Sequence, residues 1–177
     1  MLLSHDELLE LIERGVIENA KPDAVNSASI DLHLGPVILV EEPGNAVIDY
    51  RARTKPKMRE VHLHEDGYVL RPGDFILAQS VEVFNLPTDI SAEYKLKSSM
   101  ARIGLEHLNA GWADAGWHGS VLTLELVNIT RYHSIIIRPG DAIGQMVFFR
   151  HKPVPLERSY AVRGRYNGDK IVETIKE

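Results

Sequence analysis

Apolar and polar positions recur with two different periods along this chain, and the change between them marks its first boundary. Leu8, Leu9 and Ile12 follow a 3.6-residue repeat. Ser4 and Glu7 have capping-box spacing, Leu3 and Leu8 that of a hydrophobic staple, and Gly15 ends the repeat. The pattern predicts a packing helix with no chemistry of its own. From Ile30 onward the period falls to two. Residues 29–34, 37–40, 68–70, 75–83 and 90–96 read as short strands, with Gly35-Pro36 and Pro43-Gly44-Asn45 as turns. Residues 51–59 are basic and proline-broken and read as a solvated loop. Arg71-Pro72-Gly73-Asp74 and Arg138-Pro139-Gly140-Asp141 repeat one turn chemistry, since Pro-Gly suits the centre of a type II turn. Many short strands with frequent turns predict a mainly β barrel or jelly roll.

One strand contains a residue that breaks its pattern. Leu122, Leu124 and Leu126 share one face, and Val121, Thr123, Glu125 and Val127 the other. Both faces are largely apolar or β-branched, as in a strand covered on both sides. A carboxylate there is costly unless paired, hydrogen-bonded or protonated. A wet face of an antiparallel sheet fits the same pattern, so the strand alone leaves both placements of Glu125 open. Upstream, Ser98 and Ser99 open a short helical pattern that carries Arg102 and ends at Gly104. A hydroxyl N-cap would leave backbone N–H groups free for an anion, and Lys97 and Arg102 add positive charge. A loop with three glycines, Asp114, Trp112 and Trp117 joins the two segments.

Composition narrows the classes. The 177 residues suit one domain, with 44% hydrophobic and 25% charged residues. A net charge of −5 argues against nucleic acid as the main partner. No apolar run reaches bilayer length, so no membrane partner is expected, and residues 4–7 break any early signal-like segment. Without cysteine there are no disulfides and no thiolate zinc site; a cytoplasmic protein is expected. His62 and His64 share a strand face, and His107, His118 and His133 are scattered. None receives a role. There is no P-loop and no dinucleotide fingerprint.

Six segments carry a resemblance. They are Ser-Ala-Ser-Ile-Asp-Leu-His-Leu-Gly (27–35), Lys-Ser-Ser-Met-Ala-Arg-Ile-Gly-Leu (97–105), Ala-Gly-Trp-Ala-Asp-Ala-Gly-Trp-His-Gly (110–119), Thr-Leu-Glu-Leu-Val-Asn (123–128), Arg-Pro-Gly-Asp-Ala-Ile-Gly-Gln (138–145) and Gly-Arg-Tyr-Asn-Gly (164–168). In this order they resemble the dCTP deaminase branch of the trimeric dUTPase-like family, over nearly the whole chain.

The resemblance implies one dUTPase-like domain over 1–177, a distorted β-barrel or jelly roll with an N-terminal helix and a short helix after the serine motif. It also implies a homotrimer with shared active sites, and a flexible lid over 156–177. The implied reaction is hydrolytic deamination of dCTP to dUTP and ammonia. Glu125 would be the proton shuttle, with Arg102 and Ser98 orienting water and stabilising charge at C4. Lys97 and Ser99 would lie nearer the phosphates, in one motif with Met100 and Ala101. Asp114 would accept from the 3′-hydroxyl, and Thr123 and Leu124 would line the base pocket. Gln145, Tyr160, Arg165 and Asp169 would meet the nucleotide. Mg2+ would ride on the triphosphate, with no zinc and no metal held by the protein.

The chain departs from the family pattern in places. Lys97 stands where Arg is usual and lacks its bidentate fork. Asp114 comes one residue early, Asp169 stands where Gln is usual, and the spacing from Tyr160 to Arg165 is short. The alternatives are a bifunctional enzyme forming dUMP and diphosphate, a dUTPase, and a non-catalytic nucleotide-binding trimer.

Overall fold

The structure, a computed structural model, describes residues 1–176. Helix α1 (His5–Glu13) starts at Ser4, whose backbone N–H donates to the Glu7 carboxylate at 3.1 Å. Leu3, Leu8 and Leu11 are fully buried, while Leu9 and Ile12 are half-buried. The apolar stripe is therefore centred on Leu8 and Leu11, rotated from the expected one. Gly15, at φ +69°, takes the left-handed conformation that ends the helix.

The strands are β1 (Ile17–Glu18), β2 (Ile30–Glu41), β3 (Met58–His62), β4 (Tyr68–Leu70), β5 (Phe75–Asn85) and β6 (Ile90–Leu96), then β7 (Leu105–His107), β8 (Trp112–Ala113), β9 (His118–Asn128), β10 (Ile135–Ile137) and β11 (Ala142–Arg150). Helix α2 (Ser98–Arg102) separates β6 from β7, and α3 (Tyr160–Arg163) follows β11. The main sheet is antiparallel, in the order β7-β9-β5-β2-β11-β6-β8, with β1 also on β5 and β3 on β2; β4 and β10 form a separate pair. Phe84, Phe148, Ile38, Leu124 and Leu126 are among the fully buried residues of the core this sheet wraps. The mainly β architecture matches the expectation.

Two expectations fail locally. Gly35-Pro36 is not a turn: β2 runs through it, with a register shift against β5 between Leu34 and Ile38. The irregularity lets one long strand pair with β11 at one end and with β3 and β5 at the other. A Cβ at Gly35 would fall 2.8 Å from Gln79 Cγ, so close strand approach explains this glycine. The basic loop is also shorter than expected, because Met58 and Arg59 already belong to β3, opposite Glu41 and Val40. The paired Pro-Gly turns do form: Gly73 and Gly140 have φ near +85°, and Asp74 and Asp141 each accept a 2.8 Å bond from the backbone N–H three residues earlier.

Candidate active site

Strand β9 positions the central carboxylate. Leu122, Leu124 and Leu126 are buried on one face, while Thr123, Glu125 and Val127 are half-buried on the other. Glu125 thus lies between the two placements left open by the sequence, with a quarter of its side chain exposed. That face borders a cavity of about 490 Å³, within the size range of small-molecule sites. Its walls include Thr123 and Glu125 of β9, Trp112 of β8, Asp114 and Trp117 of the turn between them, Tyr160 of α3, and Asp169 and Glu173 of the tail.

Hydrogen bonds fix these walls. The Trp112 indole donates to the Asp114 carboxylate at 2.9 Å. The Trp117 indole and the Ser120 hydroxyl both donate to the Tyr166 carbonyl, at 2.7 and 2.9 Å. The Val121 N–H donates to the Asp169 carbonyl at 2.8 Å, and the Val172 N–H to Gln79 Oε1 at 2.9 Å. Residues 166–172 are therefore tied to β9 and, through Gln79, to its neighbour β5, and Val172 is buried. The Asp169 carboxylate pairs with Lys176, which raises the ammonium pKa above its usual value, chiefly through that hydrogen bond. Burial similarly raises the Tyr160 hydroxyl.

Behind Glu125 lie two residues that sequence reasoning passed over. His107 of β7 is buried, and its Nε2 is 3.2 Å from Glu125 Oε2. The tilted Tyr94 ring of β6 sits 4.5 Å from the imidazole, centroid to centroid. Burial, and then the Glu125 charge, pushes the Tyr94 hydroxyl well above the ordinary phenol range. A Cβ at Gly144 would fall 2.0 Å from this ring, so only glycine leaves room for Tyr94 there. The one available signal was the alternation Leu105-Glu106-His107, which points His107 inward with Leu105.

The serine motif lies apart. Helix α2 begins at Ser98 with Lys97 in the capping position, and no side chain caps it, so the expected hydroxyl N-cap is absent. Ser98 Oγ instead accepts from Arg102 Nε at 3.2 Å, one turn away. Ser98, Ser99, Ala101 and Arg102 are exposed, and Met100 packs against the core. The Lys97 ammonium donates to Asp31 at 2.5 Å, and Gln145 accepts from Ser29 at 3.2 Å. Arg165 is exposed. None of these lines the Glu125 cavity. Leu124 is fully buried in the core, so only its backbone can border a ligand. Thr123, Glu125, Asp114, Tyr160 and Asp169 are the expected residues that one chain brings together. No three His, Asp or Glu side chains among the described residues are arranged to hold a metal ion.

Residues 2–151 match the model of the dCTP deaminase-like family. The chain belongs to this family. A relative from Aquifex aeolicus, named dCTP deaminase, dUMP-forming, is 38% identical over 174 residues, 97% of this chain and 92% of that protein. One from Methanospirillum hungatei with the same name is 36% identical over 152 residues, covering 84% and 81%. Among solved structures, the dCTP deaminase of Agrobacterium tumefaciens superposes with a TM-score of 0.67 at 28% identity; the match covers 85% of this chain but 48% of that longer one. A dUTPase from Streptococcus mutans shares the fold, at TM-score 0.51 and 14% identity, over 77% and 88% of the two chains. This member of the dCTP deaminase-like family has no described helix long and apolar enough to cross a membrane.

Proposed function

We propose that this protein deaminates dCTP and then releases diphosphate, forming dUMP. The sequence alone favoured a reaction ending at dUTP; the dUMP-forming names of its relatives support the bifunctional alternative instead. The observation that carries the reading is that Glu125 and Asp114 border one cavity. The cavity contains an acid–base group for the base and a second carboxylate for the phosphate chain.

In the first step Glu125 takes a proton from water as the oxygen attacks C4 of cytosine. Glu125 then delivers that proton to N3. It takes the remaining proton from the new C4 hydroxyl and passes it to the amino group, so that the C4–N bond breaks, C4=O forms and ammonia leaves. Thr123 and the backbone beside Leu124 border the base. Arg102 and Ser98 stabilise the charge at C4, while Lys97, Ser99, Met100 and Ala101 form the neighbouring edge of the site. In the second step Asp114 takes a proton from a water that attacks the α-phosphorus, and diphosphate leaves. The Trp112 indole holds one oxygen of Asp114 and leaves the other for this water. Mg2+ enters as part of the substrate, on its triphosphate. Gln145, Tyr160, Arg165 and Asp169 complete the nucleotide contacts, the tail from residue 156 acting as the lid of a single dUTPase-like domain. The reading places the enzyme in the cytoplasm.

The serine motif is exposed and does not line the Glu125 cavity, which supports a homotrimer in which Arg102 of one subunit serves Glu125 of the next. Mixed trimers test this. Arg102→Ala and Glu125→Gln should each slow ammonia release from dCTP by at least ~10²-fold. Co-expressed, they should regain about one quarter of wild-type activity, the share of sites that combine two intact residues in a cyclic assembly. No recovery in verified mixed trimers would place both residues in the same subunit's site.

A further inference from the structure

A buried polar cluster behind Glu125 has no assigned work in this reaction. Glu125 Oε2, His107 Nε2 and the Tyr94 hydroxyl are all buried, and none has a hydrogen-bond partner. Yet the nitrogen and the carboxylate oxygen stand 3.2 Å apart. Three strands, β6, β7 and β9, bring these atoms together. Leaving such groups unpaired in the interior is costly. A proton between oxygen and nitrogen removes that cost. The contact has the length of a hydrogen bond and lacks only alignment, a common state for catalytic pairs before substrate arrives.

We propose that His107 is a positioning residue for Glu125, its Nε2 binding the inner carboxylate oxygen when nucleotide fills the cavity, so that proton transfer is confined to the outer oxygen. This inference rests on Glu125 being the proton shuttle. The Tyr94 ring packs against the imidazole, and Gly144 of β11 gives that ring its space. The neighbouring charges fit the role. On β5 the cross-strand partner of Glu125 is Leu77, which does not titrate. Across the cavity stand Asp114, Asp169 and Glu173, with Tyr160 and Tyr166. Lys176 beside these acids is engaged by Asp169 and Glu173. Among the described residues, His107 Nε2 stands at hydrogen-bond distance from the inner oxygen of this carboxylate.

The test is kcat and KM for ammonia release from dCTP by the full chain. His107→Phe keeps a ring but no donor, so the inner carboxylate oxygen loses its partner and kcat should fall about tenfold. KM should stay within about twofold, because the ground-state contacts to nucleotide are untouched. His107→Gln, which restores an amide donor, should recover most of kcat. An unchanged kcat, or a rise in KM alone, overturns the proposal.

A measurement on folded protein covers failure of the Phe variant to fold. In ¹⁵N-histidine NMR at one fixed pH, with His107 assigned through bonds in the wild type, Glu125→Gln should move the His107 Nε2 resonance, because that nitrogen faces the replaced oxygen. An unchanged resonance overturns the pairing. Ammonia release that survives Glu125→Gln would refute the proton shuttle itself. Loss of ammonia release in that variant, with unchanged kcat in His107→Phe, would refute only the role of His107.

Discussion

Glu125→Gln should fold, assemble and bind dCTP like the wild type, yet release ammonia at least ~10²-fold more slowly. The side chain keeps its volume, and an amide is cheaper to half-bury than a carboxylate, so β9 loses no packing. What disappears is the capacity to accept a proton from water and pass it to N3. Calorimetric titration with dCTP, beside an ammonia assay, separates the two effects. Near-wild-type ammonia release would mean that a different group carries the proton. Failure to bind would mean that Glu125 holds the base in its ground state.

The second large effect is expected at Asp114. Asp114→Asn keeps the shape and a hydrogen-bonding oxygen for the Trp112 indole, so the loop should hold its place. An amide cannot activate water. Diphosphate release from dCTP should therefore fall by at least ~10²-fold while ammonia release continues, and dUTP should accumulate. If Asp114 only anchors the sugar, both products should decline together through a raised KM.

The elements of this molecule were legible in the chain, and their meetings were less so. Local rules suffice for α1, where a capping box and a left-handed glycine bracket the helix, and for the Pro-Gly turns, where φ near +85° needs glycine. Gly35-Pro36 misled because a glycine needed for close strand approach looks, in one dimension, like a glycine needed for a turn. The hydroxyl cap of α2 failed because Lys97 occupies the capping position, so the helix starts one residue later than a serine cap requires.

The family motifs located Glu125, Asp114 and Thr123, and the cavity brings them together. His107 and Tyr94 stayed hidden for a different reason. Their approach to Glu125 depends on how β6, β7 and β9 stack behind the cavity, and strand pairing across long separations leaves little mark on any one strand. The hydrogen bonds that hold the tail to β9 and to the Trp117 indole are likewise pairings across long separations, which no periodicity reveals.

The central claim is that one site performs two hydrolyses on dCTP. Purified wild-type protein, given dCTP and Mg2+, should release ammonia and diphosphate in equal amounts and leave dUMP as the nucleotide product. Ammonia without diphosphate, with dUTP accumulating, would contradict the claim and leave a simple deaminase.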